Sequence, residues 1–126
     1  MNKNIYPLTR TNEFRLKLYP SDFKKVKDFY ENVLSFPLLN SWGGETSGAM
    51  FNAGASIIEL LTPKEEYVPI RGAAVSLGVD DVWKLWEELR GKIKIVHDLR
   101  NNSWGDTSFR VSDPEGFEIT FFTKTK

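Results

Sequence analysis

The sequence predicts an α+β fold of two tandem β-α-β-β-β units with pseudo-twofold symmetry, curved mixed sheets enclosing a cavity and helices outside. Three observations carry this. A strand pattern, a helix pattern and three further strand patterns occur twice in the same order. Sliding the chain on itself by 59 residues superposes the two copies, Glu59 meeting Glu118. Finally, 126 residues suffice for one core but not for two ordinary domains, so residues 1–126 read as a single domain, with a first unit about 12–62 and a second about 72–123.

Phe14, Leu16 and Leu18 alternate with Arg15, Lys17 and Tyr19, the period-2 signature of a half-buried strand. After Pro20 the period lengthens. Phe23, Val26, Phe29, Tyr30, Val33 and Leu34 fall on one helical face, with Ser21 or Asp22 as N-cap and Pro37 as the stop. Leu38 to Trp42, Met50-Phe51 and Ile57 to Leu61 follow as strands, with Gly43-Gly44 as a turn. Thr62 to Pro69 is a connector. The second unit repeats the order: strand Ala73 to Val79, helix Asp80 to Arg90 closed by Gly91, and strands Ile93 to Val96, Thr107 to Val111 and Phe117 to Phe122. The last two strands are joined by the turn Asp113-Pro114-Glu115-Gly116.

At the same offset Leu16 meets Val75, Leu18 meets Leu77, Asp22 meets Asp81, Met50 meets Phe109 and Leu60 meets Ile119, with no gap required. Strand parity then sorts the faces. If Phe14, Leu16 and Leu18 face the helix, then Arg15, Lys17 and Tyr19 face the concave side, as do Ile57, Glu59 and Leu61 in the first unit and Ala74, Ser76, Gly78, Glu118, Thr120 and Phe122 in the second.

Composition removes several function classes. Seventeen basic residues balance seventeen acidic ones, so no net field gathers nucleic acid or an anionic membrane. The absence of cysteine removes disulfides, thiolate metal sites and a cysteine nucleophile. Neither a signal-peptide pattern nor a run of about 20 apolar residues occurs, and a cytoplasmic location is the expectation. No phosphate loop, zinc-peptidase motif or nucleophile elbow appears.

The segments Phe29-Tyr30-Glu31-Asn32-Val33-Leu34, Ile57-Ile58-Glu59-Leu60-Leu61, Val79-Asp80-Asp81-Val82, Trp104-Gly105 and Asp113-Pro114-Glu115-Gly116-Phe117-Glu118 stand in an order that resembles the vicinal oxygen chelate superfamily, the glyoxalase/bleomycin resistance/dioxygenase proteins. The resemblance covers nearly the whole chain. It implies four metal-ligand positions, which map to Arg15, Glu59, Ala74 and Glu118. Ala74 has no donor atom and Arg15 is a fixed cation, so no metal and no cofactor are expected. Instead, Arg15 could stand where the ion would, held by Glu59, Glu118 or both; equally, it could form an ordinary internal ion pair. The lone His97 is given no role.

Trp42 and Trp104 each precede a glycine and are placed at the cavity rim, where they either stack a flat ligand or partner, or cover the sheet ends. The expected ligand-binding set is therefore Arg15, Lys17, Tyr19, Trp42, Glu59, Trp104 and Glu118. By resemblance to the bleomycin-resistance branch, the chain is expected to bind a planar, charged or antibiotic-like small molecule without metal. The alternative is a lyase, isomerase or dioxygenase with Glu118 or Glu59 as general base. A homodimer is expected, because relatives complete their cavities with a second chain and each unit leaves sheet edges to cover.

Overall fold

The computed structural model describes residues 10–44, 47–63 and 65–125, which form two four-stranded sheets, one from each half of the chain. The first half runs β1 (Arg15–Leu18), α1 (Phe23–Asp28) continued by a π-helical stretch (Phe29–Val33), β2 (Leu38–Trp42), β3 (Gly48–Asn52) and β4 (Ile57–Leu61). The second runs β5 (Ala74–Gly78), α2 (Val82–Leu89), β6 (Lys94–Asn102), β7 (Asp106–Ser112) and β8 (Glu118–Lys124). Strand orders β1-β4-β3-β2 and β5-β8-β7-β6 match, each half pairing its first strand with its last in parallel and its other neighbours antiparallel.

Each helix starts on an aspartate whose carboxylate accepts a backbone N–H three residues on: Asp22 from Lys25 at 3.1 Å and Asp81 from Lys84 at 2.9 Å. The predicted single helix to Leu34 instead widens at Phe29, where Leu34 N donates to the Phe29 carbonyl five residues back at 2.9 Å. That extra residue in the turn allows the adjacent Phe29 and Tyr30, and then Leu34, all to be buried. The helix-facing side chains of both sheets pack beneath the helices, Phe51, Ile58 and Leu60 in the first half and Phe109, Val111, Ile119 and Phe121 in the second. Phe14, expected in this set, precedes β1 and is 62% exposed. β6 runs on to Asn102, well past Val96; its register shifts twice against β7, which hides the alternation from a sequence reading.

The 59-residue offset holds at the helix caps and slips in the sheets. Lys17 lies level with Glu59, and adding 59 to each gives Ser76 and Glu118, yet Ser76 lies level with Thr120 and Glu118 with Ala74. Glu59 therefore corresponds in register to Thr120, two residues beyond Glu118. The same pairing makes Arg110, not Phe109, the counterpart of Met50, because Met50 lies beside Glu59 and Arg110 beside Thr120. The two-residue slip from β4 to β8 keeps each side chain on its face while moving it about 7 Å along the strand, whereas the one-residue slip from β3 to β7 exchanges the faces.

The halves meet at a polar seam between α1 and the β7–β8 turn. The Tyr30 hydroxyl, fully buried, donates to Asp113 Oδ2 at 2.8 Å, while Asp113 Oδ1 accepts from the backbone of Glu115 and Phe117 at 2.8 and 3.0 Å. Burial raises the Asp113 carboxyl above its ordinary range, against these hydrogen bonds, and burial together with Asp113 raises Tyr30 well above its own. Beside them Glu115 accepts from the backbone N–H and the hydroxyl of Ser21, both at 2.9 Å, and from Tyr67 of the connector. Burial works to raise Glu115, but these donors prevail and lower it. Among the described residues no helix is long and apolar enough to cross a membrane.

Candidate functional site

Because the seam runs along α1 and not along the sheet faces, the two concave faces stay apart and each carries its own open cleft. The first, about 590 Å³, has walls from Lys17 and Tyr19 beside β1, Trp42 at the end of β2, Leu61 and Thr62 at the end of β4, and Glu65, Glu66 and Val68 of the connector. The second, about 370 Å³, lies on the β5–β8 sheet and is lined among others by Ser76, His97, Arg100, Trp104, Arg110 and Thr120. The two share no lining residue, so the single cavity expected between the units does not close within one chain.

Trp42 is fixed by its cross-strand neighbour. It pairs with Gly48, and its indole lies so close over that glycine that a Cβ there would stand 2.0 Å from the ring. Only a residue without a side chain lets the indole lie against the sheet and form the cleft wall. Ser47 and Thr62 bond reciprocally at 3.0 Å between their backbones and side chains, which holds the end of β4 to the start of β3 beneath it.

Of the expected site residues Lys17, Tyr19, Trp42 and Trp104 line one or other cleft, whereas Arg15, Glu59 and Glu118 line neither. Lys17, Tyr19 and Trp42 line the first. Glu59 sits on the same face of β4 as Leu61, level with Lys17, and is only 7% exposed. Trp104, in the β6–β7 turn and 73% exposed, belongs to the second cleft. Glu118 is half-exposed and accepts from Arg110 Nη1 at 3.2 Å, while Arg110 Nε donates to Thr120 at 2.9 Å. Arg15 does not join Glu59 to Glu118; it stands between Glu13 and Glu59. Its Nε donates to Glu13 at 2.6 Å in an exposed pair, its Nη1 stays 3.9 Å from Glu59 Oε1, and the bond to Glu13 is the main reason its guanidinium is raised above its ordinary value. Glu13, two residues away and equally solvated, is the nearer partner.

Sequence reasoning missed the connector residues and the second-cleft trio His97, Arg100 and Arg110. Arg110 was legible, since alternation with Phe109 and Val111 turns it to the concave face. Connector residues have no periodicity to read, and the slips in β6 conceal His97 and Arg100.

The four mapped metal positions do not fit a divalent ion. Arg15 and Ala74 offer no donor, and the register counterpart of Glu59 is Thr120, so one carboxylate remains where Glu59 and Glu118 had been expected together. Among the described residues no three His, Cys, Asp or Glu side chains come together in a metal-binding arrangement.

With topology and site in place, comparison with known proteins gives a direct match: the model of the Glyoxalase/Bleomycin resistance protein/Dioxygenase superfamily aligns to residues 13–121. The chain belongs to this superfamily. No curated protein sequence matches it significantly. Among solved structures, TioX from Micromonospora sp. ML1 is similar at 22% identity and TM-score 0.73, covering 90% of this chain and 99% of that one. A superfamily protein from Alicyclobacillus acidocaldarius is similar at 16% identity and TM-score 0.71, covering 94% and 96%. A lactoylglutathione lyase from Agrobacterium tumefaciens is similar at 19% identity and TM-score 0.68, covering 87% and 91%. At such identities the likeness is one of fold, shared across the superfamily by members with and without a catalytic name.

Proposed function

We propose that this protein binds a small organic molecule on its concave sheet faces without using a metal, and holds the compound without transforming it. The carrying observation is the first cleft: a large, partly apolar recess walled by Trp42 and Tyr19, on the sheet whose first strand carries Arg15 at a superfamily donor position. A planar, antibiotic-like compound suits the flat indole wall. The enzymatic reading, with Glu59 or Glu118 as base, is weaker, since Glu118 is already paired with Arg110 and Glu59 is buried beside Arg15.

We further propose a cytoplasmic homodimer in which a second chain covers the open faces. The exposed Tyr19, Trp42 and Trp104 rims and the unpaired edges of β1 and β5 are surfaces that such a partner would cover. Thermal-shift screening of planar compounds in the presence and absence of a chelator tests the reading. Ligands should stabilise the protein equally under both conditions, and Gly48→Ala, which displaces the Trp42 indole, should weaken them. A requirement for added divalent metal, or turnover of the bound compound, would overturn it.

A further inference from the structure

The geometry points to an organic cation, a protonated amine or amidine on a flat apolar frame, as the ligand of the first cleft, its nitrogen donating to Glu59. This rests on the small-molecule reading above and narrows it.

The central observation is Glu59 Oε1. It is buried and has no hydrogen-bond partner, and the nearest cation, Arg15 Nη1, stands 3.9 Å away with its Nε committed to Glu13. A buried carboxylate oxygen left without a donor is costly, so a donor arriving from outside is strongly favoured there. By strand parity Glu59 points to the same side as Lys17 and Leu61, both of which line the cleft, so its carboxylate lies buried beneath the cleft wall and not on its surface. Its level neighbour on β1 is Lys17, an exposed side chain without an ion pair among the described residues.

The rest of the cleft selects the same chemistry. Among its described lining residues two carboxylates, Glu65 and Glu66, oppose the single cation Lys17, and counting Glu59 beneath together with Arg15 beside it leaves three carboxylates to two cations. The remaining wall is largely apolar or aromatic: Tyr19, Trp42, Leu61, Pro63 and Val68. An indole and a phenol beside carboxylates attract a cation through both charge and ring quadrupole, while a flat frame covers the indole. The second cleft differs, since the only acidic residue among its described lining, Asp106, accepts from Asn102, and its arginines oppose a cation.

Three matched probes test this: naphthylmethylamine, naphthylmethanol and naphthoate, titrated into the full-length protein and followed by amide NMR shifts and by the Trp42 indole signal. The amine should bind about tenfold or more tightly than the alcohol, with the acid weakest. Glu59→Gln keeps the shape of the side chain and should bring the amine down to the level of the alcohol while leaving the alcohol unchanged; Glu59→Asp, which keeps the charge but withdraws the oxygen, should lose most of the same preference. If the alcohol binds at Trp42 and the amine shows no advantage, or if Glu59→Gln retains that advantage, the cation assignment is overturned and the small-molecule reading stands. If none of the probes perturbs the first cleft while planar compounds found by thermal shift do not map there either, both fall.

Discussion

The two halves of the molecule share a topology but treat their concave-face carboxylates in opposite ways. In the second half Glu118 is half-exposed and engaged by Arg110, itself anchored on Thr120, so charge and counter-charge are satisfied within one sheet. In the first half Glu59 is buried, its Oε1 lacks a hydrogen-bond donor, and Arg15 hydrogen-bonds Glu13 while reaching Glu59 only as a long ion pair of 3.9 Å. Duplication supplied two similar scaffolds, and a two-residue slip in register let one complete its own network while the other stayed open. The unsatisfied half is the one that has chemistry left to offer a ligand.

The largest effect should come from the cores on which both faces rest. In the second half Phe121 stacks on Phe109 at 5.5 Å, and Phe109 meets Trp86 of α2 edge-on at 5.2 Å. Phe121→Ala should cost about 3–5 kcal/mol in urea unfolding, and its register counterpart Leu60→Ala about 2–5 kcal/mol. A loss below about 1 kcal/mol at either would mean that half is loosely packed.

The seam comes next. Tyr30→Phe strands the buried Asp113 Oδ2 and should cost about 1–3 kcal/mol, much more than Ser21→Ala at the solvated Glu115. The two acids also have opposite pH signatures. Asp113 is raised, so the folded state holds its proton more tightly, and its contribution is full below the ordinary aspartate range and lost as pH rises through the raised value. Glu115 is lowered, so its contribution is present above the ordinary glutamate range and lost as pH falls. Asp113→Asn should therefore gain stability relative to the parent as pH rises from strongly acidic toward neutral, when unfolding midpoints are compared at each pH. A difference between the two proteins that does not vary with pH would refute the assignment.

The smallest effect is at Arg15. Its bonded partner Glu13 is solvated, so Arg15→Ala should leave the unfolding midpoint nearly unchanged, while Arg110→Ala in the half-exposed pair with Glu118 should cost less than about 1 kcal/mol. A double-mutant cycle of Arg15 with Glu59 should show little coupling across their 3.9 Å pair; a strong coupling would restore Arg15 as the cation that holds Glu59.

The alternation of Leu16 and Leu18, the helical spacing of Val26 and Tyr30, and the aspartates that cap both helices were enough to specify element order, duplication and the inward parity of Lys17, Glu59 and Glu118, because periodicity is a local property of the chain. The loss of the metal site at Arg15 and Ala74 was equally legible, since a residue without a donor lacks one in any fold. Tertiary structure alone decided what those inward residues meet. Register is set by pairing between strands some forty residues apart, and it exchanged Glu118 for Thr120 opposite Glu59. Which carboxylate an arginine chooses depends on distances of an ångström, and it sent Arg15 to Glu13 and Arg110 to Glu118. The connector, without a period to read, reached the first cleft through Tyr67 anchored on Glu115. Faces follow from local stereochemistry, whereas neighbours follow from how separate segments are brought together.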